Sequence, residues 1–251
     1  LLLSAVLSLA AGVRHVQGQE AAGWPVQASY QFGQSILFQA SPTPDTLADE
    51  ADLFLQVQGE PSTRIIAAEQ NASGDWEVSY DVQAHPIRAF SSIEYWFVAK
   101  MTGGDELATQ HGSLAYIDNR FEWQDRTAGI FEVHWYEGDS AFAQVLLDVA
   151  QQGLENAQQI LPLTPPERVQ VYAYANGRNM REAIQLVGDD CVAAHTSPDM
   201  AVMVLSLPPG PEQRLEIERQ IPHELMHILI YQRVGRAYTR LPMWLSEGLA
   251  S

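Results

Sequence analysis

The sequence predicts two domains, an all-β sandwich followed by an α+β domain. Three observations support this division of the 251 residues. Short runs of alternating apolar residues recur in the first half, strand and helix patterns alternate in the second half, and the periodicity changes near residues 116–120. We therefore place the β-sandwich domain at residues 22–118 and the α+β domain at residues 119–251.

The N-terminal half contains four strand-like runs that are alternately or continuously apolar. They cover residues 36–40, 53–57, 76–82 and 93–98. Glycine, proline, aspartate and asparagine separate the runs, which is typical of short antiparallel strands joined by turns. This pattern predicts an immunoglobulin-like or fibronectin-like sandwich. The sandwich contains no catalytic cluster, so we expect it to act as a spacer or a binding module.

Strands and helices alternate in the C-terminal half. Asp139 precedes an amphipathic pattern and predicts a helix start. A later helix either begins with Pro222 in its first turn or runs from Glu212 and kinks at that proline, and Pro242 precedes a last helix. The predicted strands cover residues 130–136, 168–174 and 200–207, and the earlier predicted helices cover residues 140–161 and 178–187.

The first residues predict export. Residues 1–12 form an apolar run that is too short to span a bilayer, and Arg14 follows it. The run resembles the hydrophobic region of a secretory signal, so residues 1–18 are predicted to be a signal peptide remnant, with an uncleaved membrane anchor as the alternative. We expect a mature chain without a membrane span that is secreted, periplasmic or on the cell surface. We also expect a fragment, because the chain lacks an initial methionine and ends within a predicted helix.

The composition excludes some classes of partner. The chain has 14 Lys and Arg against 31 Asp and Glu, a formal net charge of −17. Such an acidic chain is not expected to bind nucleic acid, whose phosphates need a basic surface. Cys191 is the only cysteine, which excludes an intrachain disulfide. The oligomeric state stays open.

The most informative segment is His223-Glu224-Leu225-Met226-His227, an HExxH motif in an apolar helical pattern. Histidines four residues apart lie on one side of a helix, about 6 Å apart, so both imidazoles can reach one metal ion. Glu224 lies about 100° around the helix from His223, where its carboxylate can face a metal-bound water. The motif alone also fits a pair of partly buried core histidines, so the residues after it are decisive.

A third ligand is required, because catalytic zinc sites use three protein ligands. The metzincin pattern places a histidine six residues after the second one, and Arg233 occupies that position. No histidine follows His227, and Glu247 is the only acidic residue from 228 to 251. A helix, a loop and an antiparallel helix would return Glu247 to the histidines. The sequence thus predicts a metal set of His223, His227 and Glu247.

HELMH followed by P-x-W-L-x-E-G-L-A resembles the gluzincin peptidases, and within them the bacterial peptidase MA-like group. The resemblance covers the chain from residue 223 onward. It implies an α+β zincin-type metallopeptidase domain, incomplete at its C-terminal end, in which His223, His227 and Glu247 bind Zn²⁺. It also implies that Glu224 is the general base that activates a zinc-bound water for hydrolysis of a peptide or protein substrate. No motif for binding a substrate amino terminus precedes HExxH, which favours an endopeptidase.

Two parts of a gluzincin site are missing from the sequence pattern. An oxyanion donor is expected, and Tyr231, Tyr238 and His195 are available without any signal that places them near the metal. A carboxylate that orients a ligand histidine is expected four residues after Glu247, where the chain has Ser251. The resemblance also implies that residues 200–207 form the sheet edge beside the substrate cleft.

Three functions are compatible with these features. The first is an exported zinc metallopeptidase. The alternative is a catalytically inactive surface binding or adhesion protein that keeps the zinc site. The third is a metal-dependent hydrolase that acts on a non-peptide bond. Zinc binding with or without peptide hydrolysis separates the first two, and Glu224→Gln tests the general base.

Overall fold

The computed structural model describes residues 23–44, 46–185 and 193–251, and these residues form mostly β-sheet with a few helices. The predicted signal segment 1–18 and Cys191 lie outside the described residues. The strands of the N-terminal region are β1 (Val26–Gln31), β2 (Ser35–Ala40), β3 (Ala48–Val57), β4 (Arg64–Ala67), β5 (Glu69–Gln70), β6 (Trp76–Asp81), β7 (Ser91–Met101), β8 (Glu106–Ala108) and β9 (Gly112–Tyr116).

These nine strands form two antiparallel sheets. One sheet has the order β1-β2-β6-β5, and the other has the order β4-β3-β7-β8, with β9 also pairing with β7. Alternate residues of β2, β6 and β7 are buried, as the period of two requires. Phe38 of the first sheet and Tyr95 of the second meet at a ring-centroid distance of 5.0 Å. The inward faces therefore share one core, and the region is all-β and sandwich-like.

The C-terminal region is a mixed sheet with helices. Its strands are β10 (Gln124–Ala128), β11 (Phe131–Trp135), β12 (Val169–Tyr174), β13 (Ala194–Ser197) and β14 (Val202–Ser206), and its helices are α1 (Ser140–Ile160), α2 (Gly177–Ala183), α3 (Gln213–Val234), a 3₁₀ helix (Gly235–Arg240) and α4 (Met243–Ala250). The strand order is β10-β11-β12-β14-β13. The three central strands run parallel, and β10 and β13 are antiparallel edges.

Local sequence signals account for the helix ends. Asp139 caps α1, because its carboxylate accepts hydrogen bonds from the backbone N–H groups of Ala141 and Phe142 at 3.0 and 3.1 Å. α2 ends at Ala183, earlier than predicted, and residues 186–192 lie outside the described part. α3 contains Pro222 in its interior, so one long helix forms and the motif does not begin it.

The mixed sheet packs on both faces. One face, with Phe131, shares a core with Leu146 of α1 and Ile221 of α3. The other face contacts the sandwich, where Phe90 stacks on Tyr172 of β12 at 3.9 Å. Two large apolar faces are thereby buried against different neighbours, which fixes the sheet between the helices and the sandwich.

Asp118 lies at the junction between β9 and β10, where the predicted domain boundary falls. Its side chain is fully buried and accepts a hydrogen bond from the Tyr174 hydroxyl at 2.8 Å. It also accepts two hydrogen bonds from the Arg120 guanidinium, each at 2.8 Å. The paired cation and the hydroxyl compensate the cost of burying this carboxylate. The boundary itself, between 118 and 119, stays a prediction.

The strand predicted at residues 200–207 forms as β14, but its predicted position at the edge of the sheet is wrong, because β14 pairs with β12 on one side and β13 on the other. The edge is β13, whose short sequence Ala-His-Thr-Ser has no apolar alternation to predict it.

Within the described ranges, no helix combines the length and the hydrophobicity that a bilayer crossing requires.

Candidate metal centre

The structure brings His223, His227 and Glu247 together. One ligand atom from each lies within 4.8 Å of the other two, and this is a cluster that could hold a metal ion. The Nε2 atoms of the two histidines are 3.3 Å apart. Glu247 oxygens lie 3.4 Å from His223 Nε2 and 3.7 Å from His227 Nε2. The return of α4 toward α3 therefore places the predicted carboxylate opposite the two imidazoles.

Burial differs across the three side chains. The His227 side chain is 9% exposed, that of His223 31%, and that of Glu247 50%. The cluster therefore opens to solvent on the Glu247 side. A cavity of about 350 Å³ adjoins it, and the wall residues are Ala194, His195, Thr196, Pro198, His223, Glu224, His227, Tyr238 and Glu247.

The outer nitrogen of each imidazole is held by a partner. His223 Nδ1 lies 3.0 Å from the backbone carbonyl oxygen of Ala250, and His227 Nδ1 lies 2.9 Å from the Tyr238 hydroxyl. A carboxylate was expected in this orienting role, and the structure places a backbone carbonyl and a phenol hydroxyl there. A carbonyl carries no sequence signal, and Tyr238 was available in the sequence without any indication of its position.

Glu224, the predicted general base, lies beside the three ligand candidates. Its side chain is buried and accepts a hydrogen bond from the Thr196 hydroxyl of β13. The sequence gave no signal for Thr196. His195, the neighbour of Thr196, also lines the cavity, whereas Tyr231 is not among the wall residues. The role of Glu224 as a general base stays a prediction.

The electrostatics favour neutral imidazoles at the cavity. Burial lowers the pKa of His227, while the carboxylates of Glu224 and Glu247 act in the opposite direction and His223 adds to the lowering. Burial also lowers the pKa of His195, while the charge of Glu224 acts in the opposite direction. A histidine binds a metal only in its neutral form, so a lowered pKa makes the ligand available at neutral pH.

The donor set can be compared with what metals prefer. Two imidazole nitrogens and one carboxylate oxygen form a set that borderline first-row ions such as zinc accept. His223 and His227 lie one turn apart on α3, and Glu247 faces them from α4. All three side chains also line the cavity. The residues present thus fit a divalent ion that keeps one position open.

Comparison with known proteins gives no family assignment. No family model matches the chain, and no curated protein matches it. Solved structures do match. They include a carbohydrate-binding module of family 56 that binds β-1,3-glucan (17% identity, 37% of this chain, 99% of that chain, TM-score 0.28). A fibronectin type III domain of human collagen XX also matches, with 13% identity over 38% of this chain and 90% of that chain and a TM-score of 0.30. A polysaccharide deacetylase from Bacillus cereus matches with 9% identity over 66% of this chain and 57% of that chain and a TM-score of 0.33.

These matches correct the sequence analysis. They are carbohydrate-binding modules, fibronectin type III domains and polysaccharide-acting enzymes rather than zincin peptidases, which contradicts the assignment to the gluzincin, peptidase MA-like family. The function of an exported zinc metallopeptidase rested on that assignment and is overturned with it, whereas the matches do not test whether the chain is an enzyme. The motif misled because HExxH and a downstream glutamate describe a ligand geometry, and a ligand geometry does not fix a reaction. With TM-scores of 0.33 or less, the matches assign no ligand to this chain either.

Proposed function

We propose that this chain is an exported binding protein that holds one zinc ion at His223, His227 and Glu247 and does not hydrolyse peptides. The observation that carries the proposal is the convergence of these three side chains from two helices, with ligand atoms within 4.8 Å of one another. Two imidazoles and a carboxylate suit zinc better than magnesium or calcium, which prefer oxygen ligands alone. Export is supported by the apolar run at residues 1–12.

The binding role is supported by the surroundings of the cluster. The cavity beside it offers the Thr196 and Tyr238 hydroxyls and the His195 ring as hydrogen-bonding groups. A partner that enters this cavity would meet these polar groups together with the metal, and convergent polar groups of this kind fix the orientation of a bound ligand. Glu224 would remain outside the zinc ligand set as a further acceptor.

We also propose that the two regions of the chain have separate roles. Residues 22–118 form an immunoglobulin-like or fibronectin-like domain, which acts as a spacer or a second binding module, and residues 119–251 carry the zinc site. The two antiparallel sheets with a shared aromatic core support the first assignment. The acidic net charge supports a partner other than nucleic acid.

Zinc titration of the chelator-treated chain tests the proposal. We expect one zinc per chain, and we expect His223→Gln, His227→Gln and Glu247→Gln each to raise the zinc Kd by roughly 100-fold or more, because a lost ligand costs more than a lost orienting group. His111 and Glu94 offer a matched control, since their side chains meet at 2.5 Å on the sandwich, far along the chain from the cluster. His111→Gln and Glu94→Gln should leave the zinc Kd unchanged.

A second measurement addresses catalysis. The zinc-loaded chain is incubated with a broad peptide library, and no cleavage is expected. Zinc binding that survives all three ligand substitutions would refute the metal site. Peptide cleavage that disappears in Glu224→Gln would refute the non-catalytic function and would restore Glu224 as a general base.

A further inference from the structure

The two histidines of the zinc site differ in how their outer nitrogens are held. His223 Nδ1 faces the backbone carbonyl of Ala250 at 3.0 Å. A carbonyl oxygen can only accept, so His223 Nδ1 must carry the proton and its Nε2 lone pair points to the cluster. Ala250 follows Glu247 by three residues on α4. One short helix therefore supplies both a ligand and the group that fixes the tautomer of another ligand.

His227 has no such obligatory partner. Its Nδ1 lies 2.9 Å from the Tyr238 hydroxyl, and a hydroxyl can donate or accept. When His227 Nε2 binds a metal, Nδ1 carries a proton and donates it in a hydrogen bond to the Tyr238 oxygen. The hydroxyl can thus serve the metal-bound ring as an acceptor, as outer partners of metal-bound histidines do.

The backbone holds the Tyr238 ring in this position. Gly235 has a φ of +57° at the end of α3, which turns the chain into the 3₁₀ helix that carries Tyr238. Tyr231 of α3, one turn beyond His227, contacts the Tyr238 ring edge-on at a centroid distance of 5.9 Å. The Tyr238 ring stands at 88° to the His227 ring. Packing of the Tyr238 ring therefore directs its hydroxyl toward His227.

We propose that Tyr238 is a positioning residue that sets the orientation of the His227 ring for metal binding. The proposal rests on the zinc site proposed above. It assigns to Tyr238 no contact with the metal. Loss of the hydroxyl would allow the His227 ring to rotate and present either nitrogen to the ion. Zinc binding would then have to fix the ring in one orientation, which would weaken the affinity.

The experiment compares two tyrosines that touch each other. Tyr238→Phe removes the hydroxyl and keeps the ring, and Tyr231→Phe is the matched control, because the Tyr231 hydroxyl makes no hydrogen bond to any residue within the described ranges. Zinc Kd is measured by competition with a chromophoric chelator. Tyr238→Phe should raise it about 10- to 100-fold, the range for loss of a group that orients a ligand. Tyr231→Phe should leave it unchanged.

Two further readouts separate positioning from general stability. The visible absorption of bound Co²⁺ reports ligand geometry, and we expect it to change in Tyr238→Phe alone. The thermal midpoint in chelator should match the wild type for both variants. An unchanged zinc Kd and an unchanged cobalt spectrum in Tyr238→Phe overturn the proposal while the zinc site stands. Absence of zinc binding in the wild type instead refutes the proposed function.

Discussion

Arg88 and Asp199 form a bidentate ion pair between the sandwich and the loop that joins β13 to β14. The two Arg88 Nη atoms lie 2.6 and 2.8 Å from the two carboxylate oxygens of Asp199. β13 also carries Thr196, whose hydroxyl donates to Glu224. The edge strand beside the metal cluster is therefore linked to the sandwich through the loop that follows it and to α3 through Thr196.

Removal of the Arg88 guanidinium should cost stability through this pair. Bidentate charge-assisted hydrogen bonds are stronger than neutral ones, but both side chains remain partly exposed, so we expect Arg88→Met to lower the free energy of unfolding by only about 1 kcal/mol. Urea unfolding measures the loss. Lys100→Met is the control, because Lys100 and Glu50 are 3.7 Å apart and mostly exposed, and its cost should be near zero.

Acidification tests the same pair. The hydrogen bonds from Arg88 hold the pKa of Asp199 below its usual range, although burial opposes them. A carboxylate with a lowered folded pKa contributes stability that is complete above its unfolded pKa of about 3.9 and is lost as the pH falls through the folded value. Stability below about pH 4 should therefore fall less steeply in Arg88→Met than in the wild type. Parallel acid profiles for the two chains would contradict this account.

Gly59 makes room for the ion pair. A Cβ atom at Gly59 would lie 2.7 Å from both Arg88 Nη1 and Asp199 Oδ2, and φ of Gly59 is +84°. Gly74 has a similar φ of +89° with no atom within 4 Å of such a Cβ, so Gly74→Ala measures backbone strain alone.

We expect Gly59→Ala to destabilise the chain by the strain seen in Gly74→Ala plus about 1 kcal/mol for the displaced ion pair. The free energies come from urea unfolding. In an Arg88→Met background the extra cost should be smaller, because the added methyl group then meets only the Asp199 side chain and displaces no ion pair. If Gly59→Ala and Gly74→Ala lower the free energy of unfolding equally in the wild type, Gly59 is required only for its backbone conformation and not for the ion pair.

The ligand candidates could be predicted from the sequence because their geometry is local. His223 and His227 are related by one helical turn, and Glu247 was the only acidic residue that could follow. The predicted alternation also located β2, β3 and β6, since a period of two is visible wherever one face of a strand is buried, and the continuous apolar run at residues 93–98 located β7.

The rest depended on contacts between distant parts of the chain. Tyr238 reaches His227 only because the 3₁₀ helix folds back after Gly235, and Thr196 reaches Glu224 only because β13 is the sheet edge. β13 has four polar or small residues, so no periodicity marked it. The predicted function was wrong for a different reason. The motif specified which atoms could meet a metal, and the reaction was taken from resemblance.

The last helix should depend on the zinc ion for its order. None of the α4 residues, all of which the structure describes, is buried, and Met243 and Trp244 are 78% and 74% exposed. Its links to α3 include the hydrogen bond between His223 and Ala250 and the contacts of the Glu247 carboxylate with the two imidazoles, so apolar burial contributes little to holding it. Segments with few buried contacts open at low free-energy cost.

A zinc ion bound to His223, His227 and Glu247 would join α4 to α3 directly. We expect zinc to slow amide hydrogen exchange in α4 by about tenfold or more, equivalent to about 1.4 kcal/mol of local stability, compared with the chelator-treated chain. In Glu247→Gln the exchange should be fast with or without zinc, because the helix has lost its ligand. The amides of α1, which pack in the core, provide the internal control and should not respond. Equal exchange in α4 with and without zinc would mean that Glu247 does not bind the ion.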